Sequence, residues 1–146
     1  TGSYSNGSTL SQTLVQQWNG ASWTVIPSPN SGTNSNGLAS VSCVSESFCV
    51  ATGSYNDGLL DLTLVEQWNG ASWTVIPSPN SGTNSNVLNS VSCVNTAFCV
   101  ATGYYYNGSA NQPLDQTLAL SLTGPEPAPT TTTRALPDQV APAFTG

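Results

Sequence analysis

Residues 13–37 read TLVQQWNGASWTVIPSPNSGTNSNG, and residues 63–87 read TLVEQWNGASWTVIPSPNSGTNSNV. The two stretches agree at 23 of 25 positions at an offset of fifty, differing as Gln16 against Glu66 and Gly37 against Val87. The offset persists outward. Residues 38–55 (LASVSCVSESFCVATGSY) and 88–105 (LNSVSCVNTAFCVATGYY) agree at 13 of 18 positions, and three of the five differences fall together at Ser45, Glu46 and Ser47, between two cysteines. Such fidelity marks tandem duplication, and a period of about 40 to 50 residues is that of propeller blades and of two-helix arrays.

Composition decides between those two. Each repeat is dense in Val, Thr, Ser, Trp, Tyr, Asn and Gly and carries Pro-Ser-Pro, with no ten-residue span of good helix formers. Strands are therefore expected, and four short runs fit each fifty: residues 38–44, 48–55, 63–68 and 72–76, here called a, b, c and d. Ser45-Glu46-Ser47 links a to b tightly. Asn69-Gly70, repeated at Asn19-Gly20, links c to d with the strongest short hairpin signal in the chain. Each repeat is thus expected to be a four-stranded antiparallel meander. Thr1-Gly2-Ser3-Tyr4 matches Thr52-Gly53-Ser54-Tyr55, and Leu122-Thr123-Gly124 stands where Trp68-Asn69-Gly70 stood. The succession becomes b-c-d over residues 1–37, a-b-c-d over 38–87 and a-b-c over 88–124, about two and a half units. Residues 125–146 follow as a Pro- and Thr-rich linker or tail, whose composition favours an extended spacer over a strand.

Side-chain parity gives the hairpins a register. If the a–b hairpin is centred on Glu46, Cys43 stands opposite Cys49, and Cys93 stands opposite Cys99 in the next repeat. That placement favours a disulfide within each hairpin over metal, since zinc ligands are usually two to four residues apart; buried free cysteines remain the alternative. Trp18 and Trp23 fall on one sheet face with Leu14 and Val25 beside them, and Trp68 and Trp73 repeat the arrangement. Packing against a neighbouring repeat is the structural reading of these indoles. An exposed aromatic platform for sugars is the functional one.

The pattern WNG, then SW, a Pro-rich loop and LxSVSCxxxxxCVATGxY resembles a class of secreted bacterial repeats, common in actinobacteria, of the form WNGxxWxxxPxP followed by LxxVSCxSxxxCxAVGxY. The resemblance covers residues 1 to about 124 and implies kelch-like β-propeller blades, although this chain carries VATG where AVG is usual. The class implies little about activity. Two and a half blades are too few to close a ring of about four to eight. Either the chain is part of a longer propeller, or its open blades are completed by other copies of itself.

The charge balance removes much of the remaining chemistry. The chain has 146 residues, with seven Asp or Glu, one Arg, no Lys and no His, for a formal net charge of -6. With Arg134 as the single cation, phosphate or nucleic-acid binding has no basic patch to rest on. No apolar run approaches the ~20 residues of a membrane-spanning helix, so membrane insertion is not expected. Ser and Cys have no imidazole to activate them, the acids form no evident pair, and no catalytic residue, metal site or cofactor is assigned. Asn56-Asp57-Gly58 with Asp61 reads as a solvated turn in preference to a Ca2+ loop. Paired cysteines in a short chain point to a secreted or extracellular location. The end Pro142-Ala143-Phe144-Thr145-Gly146 is similar to LPxTG-type sorting signals, which would add cell-wall attachment. The expectation is a non-catalytic β-propeller module for binding or structure, taking a glycan or protein ligand. Its alternatives are a self-assembling surface fibre and part of a larger propeller enzyme.

Overall fold

In the computed structural model, which describes residues 1–5, 7, 9–108 and 115–122, the described residues form ten strands and no helix. β1 (Gly2–Ser5), β2 (Ser11–Trp18) and β3 (Trp23–Ile26) make the first sheet. β4 (Asn36–Ser45), β5 (Phe48–Asn56), β6 (Asp61–Trp68) and β7 (Trp73–Val75) make the second, and β8 (Asn86–Asn95), β9 (Phe98–Tyr106) and β10 (Asp115–Leu122) the third. All neighbours are antiparallel and consecutive in the chain, so each sheet is a meander in the succession b-c-d, a-b-c-d, a-b-c. The tail expected at residues 125–146, and the pentapeptide Pro142 to Gly146 within it, lie outside the described residues.

Cys43 pairs with Cys49 and Cys93 with Cys99 across the a–b hairpins. The register centred on Glu46 runs from Ser40 opposite Thr52 to Cys43, then shifts at both ends, where Leu38 meets Gly53 and Ser45 meets Phe48. These bulges were not read from the sequence, and they explain one of its fixed features. At the inner bulge the strands approach so closely that a Cβ on Gly53 would lie 2.0 Å from the Gly37 carbonyl oxygen, and one on Gly103 would lie 1.9 Å from that of Val87. The closing glycine of VATG is there because no side chain fits.

The sheets stack face to face in chain order, as alternation along the strands requires. Leu64, Cys49, Ala51 and Trp73 point back to meet Val15 and Ile26 of the first sheet, while Val50 and Val65 point forward to meet Leu88, Val91, Ala101 and Leu118 of the third. The second sheet is thereby covered on both faces. The first leaves its outer face open, with Trp18, Trp23 and Val25 all at least half exposed.

Two devices hold successive sheets in place. Asn36 and Asn86, both buried, clamp the loop before each a strand: each Oδ1 accepts from the backbone N–H of Ser31 or Ser81 at 2.8 Å, and each Nδ2 donates to the same residue's carbonyl at 3.1 Å. At the a-strand edge, Val91 N–H donates to Ser40 Oγ at 3.3 Å and Cys93 N–H to Ser42 Oγ at 3.0 Å. Hydroxyls of one sheet thus satisfy edge amides of the next, which an unpaired strand edge otherwise leaves open.

Candidate functional site

The Trp-Asn-Gly turns stand at the same corner of the first and second sheets. Each is a four-residue loop between paired indoles, Trp18 opposite Trp23 and Trp68 opposite Trp73. Asn19 Oδ1 accepts from the N–H groups of Ala21 and Ser22 at 2.9 Å, Asn69 Oδ1 does the same for Ala71 and Ser72, and Gly20 and Gly70 take φ of 96° and 94°. Asn supplies the side-chain cap and Gly the positive φ, so neither is replaceable at no cost. Within each pair the ring centroids are 5.7 Å apart and tilted.

Identical local geometry meets two environments. Trp73 is 9% exposed and packs, with half-buried Trp68, in the cluster between the first and second sheets. Trp23 is 64% and Trp18 50% exposed, because among the described residues no sheet lies over the outer face of the first. Trp68 has a further tie, its Nε1–H donating to the Glu46 carbonyl at 2.9 Å.

Two grooves open beside these turns. One, of about 630 Å3, runs between the two turns and is bordered by Trp18, Trp68, Gln17, Asn19 and Glu46. The other, of about 420 Å3, lies between the first and second sheets, with Val15, Ile26, Val41 and the Cys43–Cys49 bridge among its walls. The first offers amides, a carboxylate and indole faces. The second is a mostly apolar slot.

Sequence reasoning passed over Glu66, whose signal was present as one of only two differences between the duplicated 25-residue stretches. Its side chain lies on the face of β6 turned to the first sheet and is wholly buried. Ser28 Oγ, in the loop after β3, donates to Glu66 Oε2 at 2.7 Å, while Oε1 has no hydrogen-bond partner. Burial pushes the carboxyl up to about 7, against the opposing pull of the Ser28 hydrogen bond. The group ties the two sheets together through Ser28 and carries a cost when it ionises. Gln16, its counterpart, lies exposed on the open face.

Asp57 is committed to its own turn, its Oδ1 accepting from the N–H groups of Leu59 and Leu60 at 2.8 Å, and these bonds hold its carboxyl below the ordinary range. Asp61 Oδ1 accepts from Asn56 Nδ2 at 3.0 Å. Cys43–Cys49 and Cys93–Cys99 are disulfides with Cα atoms 4.0 Å apart, and they are compatible with an extracellular location. No protein-family model, no curated protein and no solved structure matches this chain.

Proposed function

We propose that the chain is an extracellular, β-propeller-type module that acts as a non-catalytic binding or structural scaffold. The observation that carries this reading is the equivalence of successive sheet faces. Leu64, Trp68 and Trp73 cover the first sheet, and Leu14, Trp18 and Trp23 hold the same positions on a face awaiting the same kind of neighbour. Repeats of this kind take their stability from nearest-neighbour interfaces, so the architecture extends by adding like sheets. The polar groove between the Trp-Asn-Gly turns is where a glycan or protein ligand would meet such a scaffold, with indole faces and amides side by side.

A self-assembling fibre is the second reading, and the far end of the stack favours it. Val50, Thr52 and Val65 are buried against the third sheet, whereas their counterparts Val100, Thr102 and Ala119 face outward and are more exposed. The two ends of the stack thus carry the two halves of an interface already present inside it. Sedimentation of the chain at low concentration, paired with a thermal melt, tests both readings. Association that grows with concentration, or a broad melt, is expected. A strictly monomeric particle with one sharp, cooperative transition would refute the need for further blades.

A further inference from the structure

We propose that Glu66, Ser28 and Thr13 form a proton-operated latch between the first and second sheets, closed while the carboxyl is protonated and opened, at this interface alone, when it ionises. The latch has a single tie. Ser28 Oγ donates to Glu66 Oε2 at 2.7 Å across the interface, while Glu66 Oε1 is buried with no hydrogen-bond partner. The side chain is wholly buried in the interface that Val15, Leu38, Leu64 and Trp73 fill. A carboxylate held there by one donor is far costlier than the neutral acid in the same place.

The next interface shows the same loop in its released arrangement. Ser78 holds the place of Ser28 in an identical Ile-Pro-Ser-Pro-Asn segment, but Leu120 stands where Glu66 would, opposite Ala101 as Glu66 is opposite Ala51. With no carboxyl to reach, the Ser78 hydroxyl turns back to its own repeat, 2.7 Å from Thr63 Oγ1 and donating to the Thr63 carbonyl at 3.3 Å. Thr13, the counterpart of Thr63, instead donates its hydroxyl to the carbonyls of Ser28 and Pro29, at 3.4 and 3.0 Å. One loop sequence thus takes two hydroxyl arrangements in one molecule, and Ser28 has Thr13 to return to once Glu66 leaves.

The surrounding charges leave one trigger. Residues 1–45 contain no Asp, Glu, Lys, Arg or His, so no charged side chain of the first sheet faces Glu66. In the second sheet β4, β5 and β7 carry none either, and β5 and β7 set Ala51 and Val75 opposite it. Asp61, at the start of β6, is bonded to Asn56. The titratable side chains on these elements are Tyr4, bonded to Gln12, and Tyr55, packed at the margin of the same cluster; Cys43 and Cys49 are bridged. With no cation to hold it, an ionised Glu66 is stabilised by water, which it reaches by parting the two sheets at the Pro-Ser-Pro loop. Burial pushes the carboxyl up to about 7, so the latch is closed below that pH and open above it. This inference goes beyond the scaffold reading, and its failure would leave that reading standing.

The test is an NMR titration of the full chain, with labelled glutamate carboxyls, backbone amides and methyls, from pH 5 to 8.5. The Glu66 carboxyl is expected to titrate near 7, and the Ser28 and Thr13 amides and the Val15 and Ile26 methyls should shift with the same midpoint. Signals of the next interface, from the Ser78 amide and the Leu88 and Val91 methyls, should stay in place. Glu66→Gln should abolish the transition at every position. Ser28→Ala should leave Glu66 titrating with its midpoint raised, because the hydrogen bond that favours the ionised form is gone. If either variant misfolds, the contrast between the two Pro-Ser-Pro loops in the unaltered chain decides. A Glu66 carboxyl that titrates below about pH 5, a Ser28 loop that stays still while Glu66 titrates, equal movement of the Ser78 loop, or a midpoint that does not rise in Ser28→Ala would overturn the proposal.

Discussion

Glu66→Gln isolates the largest electrostatic cost inside the stack. The Glu66 carboxyl is raised from the ordinary glutamate value of 4.5 to about 7, with burial as the main cause. A group whose folded pKa exceeds its unfolded one binds more protons in the folded state between those values, so stability falls as pH rises through them. Relative to pH below about 4.5, the cost is incurred progressively and is complete a little above 7. At about 1.4 kcal/mol per unit, a shift from 4.5 to about 7 corresponds to a cost on the order of 3 kcal/mol. Gln keeps an oxygen for the Ser28 hydroxyl and has nothing to ionise, so it should remove that slope. The absence of His keeps the window from pH 5 to 8 clear of imidazole, and the amino terminus cancels in the difference between the two proteins. Asp57 acts with the opposite sign and in a lower window: its depressed carboxyl contributes stability that is lost as pH falls below about 4. Urea unfolding of both proteins at half-unit steps from pH 4.5 to 8.5 measures the effect. The wild type should lose stability with rising pH, the variant should stay level, and the two curves should diverge by about 3 kcal/mol at the alkaline end. Parallel curves, or a wild type that gains stability across pH 5 to 7.5, would refute the buried-carboxyl argument.

Three further outcomes follow from the same geometry. Trp73→Ala should cost roughly 3–5 kcal/mol in denaturant melts, while Trp23→Ala, at the matching position on the open face, should change stability by less than about 1 kcal/mol. Gly53→Ala should yield little folded protein by circular dichroism, because its Cβ would be driven into the Gly37 carbonyl, and a normal melt would contradict the bulge geometry. Peptide mapping without reduction should recover Cys43 with Cys49 and Cys93 with Cys99, and reduction should lower stability by no more than about 2 kcal/mol, since so short a loop removes little chain entropy.

What was readable in the sequence was whatever depends on near neighbours. Strand succession, the opposition of the cysteines and the Asn-Gly turns all follow from period-two alternation and local turn chemistry, and the structure has them where spacing puts them. The bulges beside Leu38 and Cys43 escaped because a shift of one residue leaves both flanking patterns intact. Without the bulge, Gly53 looks like any strand glycine. The seryl hydroxyls of Ser40 and Ser42 escaped for another reason: their partners lie in the next sheet, 51 residues away, and alternating Ser on a strand reads as a solvated face.

Burial itself was the property least available from local reading, and the tryptophans show why. Trp23 and Trp73 sit in the same Asn-Gly-Ala-Ser-Trp context, with the same turn bonds and the same ring separation, yet one is 64% exposed and the other 9%. No local property distinguishes them; the difference lies in whether another sheet lies over the face they share. Gln16 and Glu66, at matching positions of the two repeats, differ in the same way, the first exposed and the second wholly buried. In a stack of near-identical repeats, a residue's energetic weight is set by its index in the stack, because each interface term belongs to a pair of sheets. Glu66 is costly, and Gln16 neutral, on that account. The carboxyl sits at an interface that exists only where a second sheet follows a first, so its ionisation reports on whether the two remain in contact.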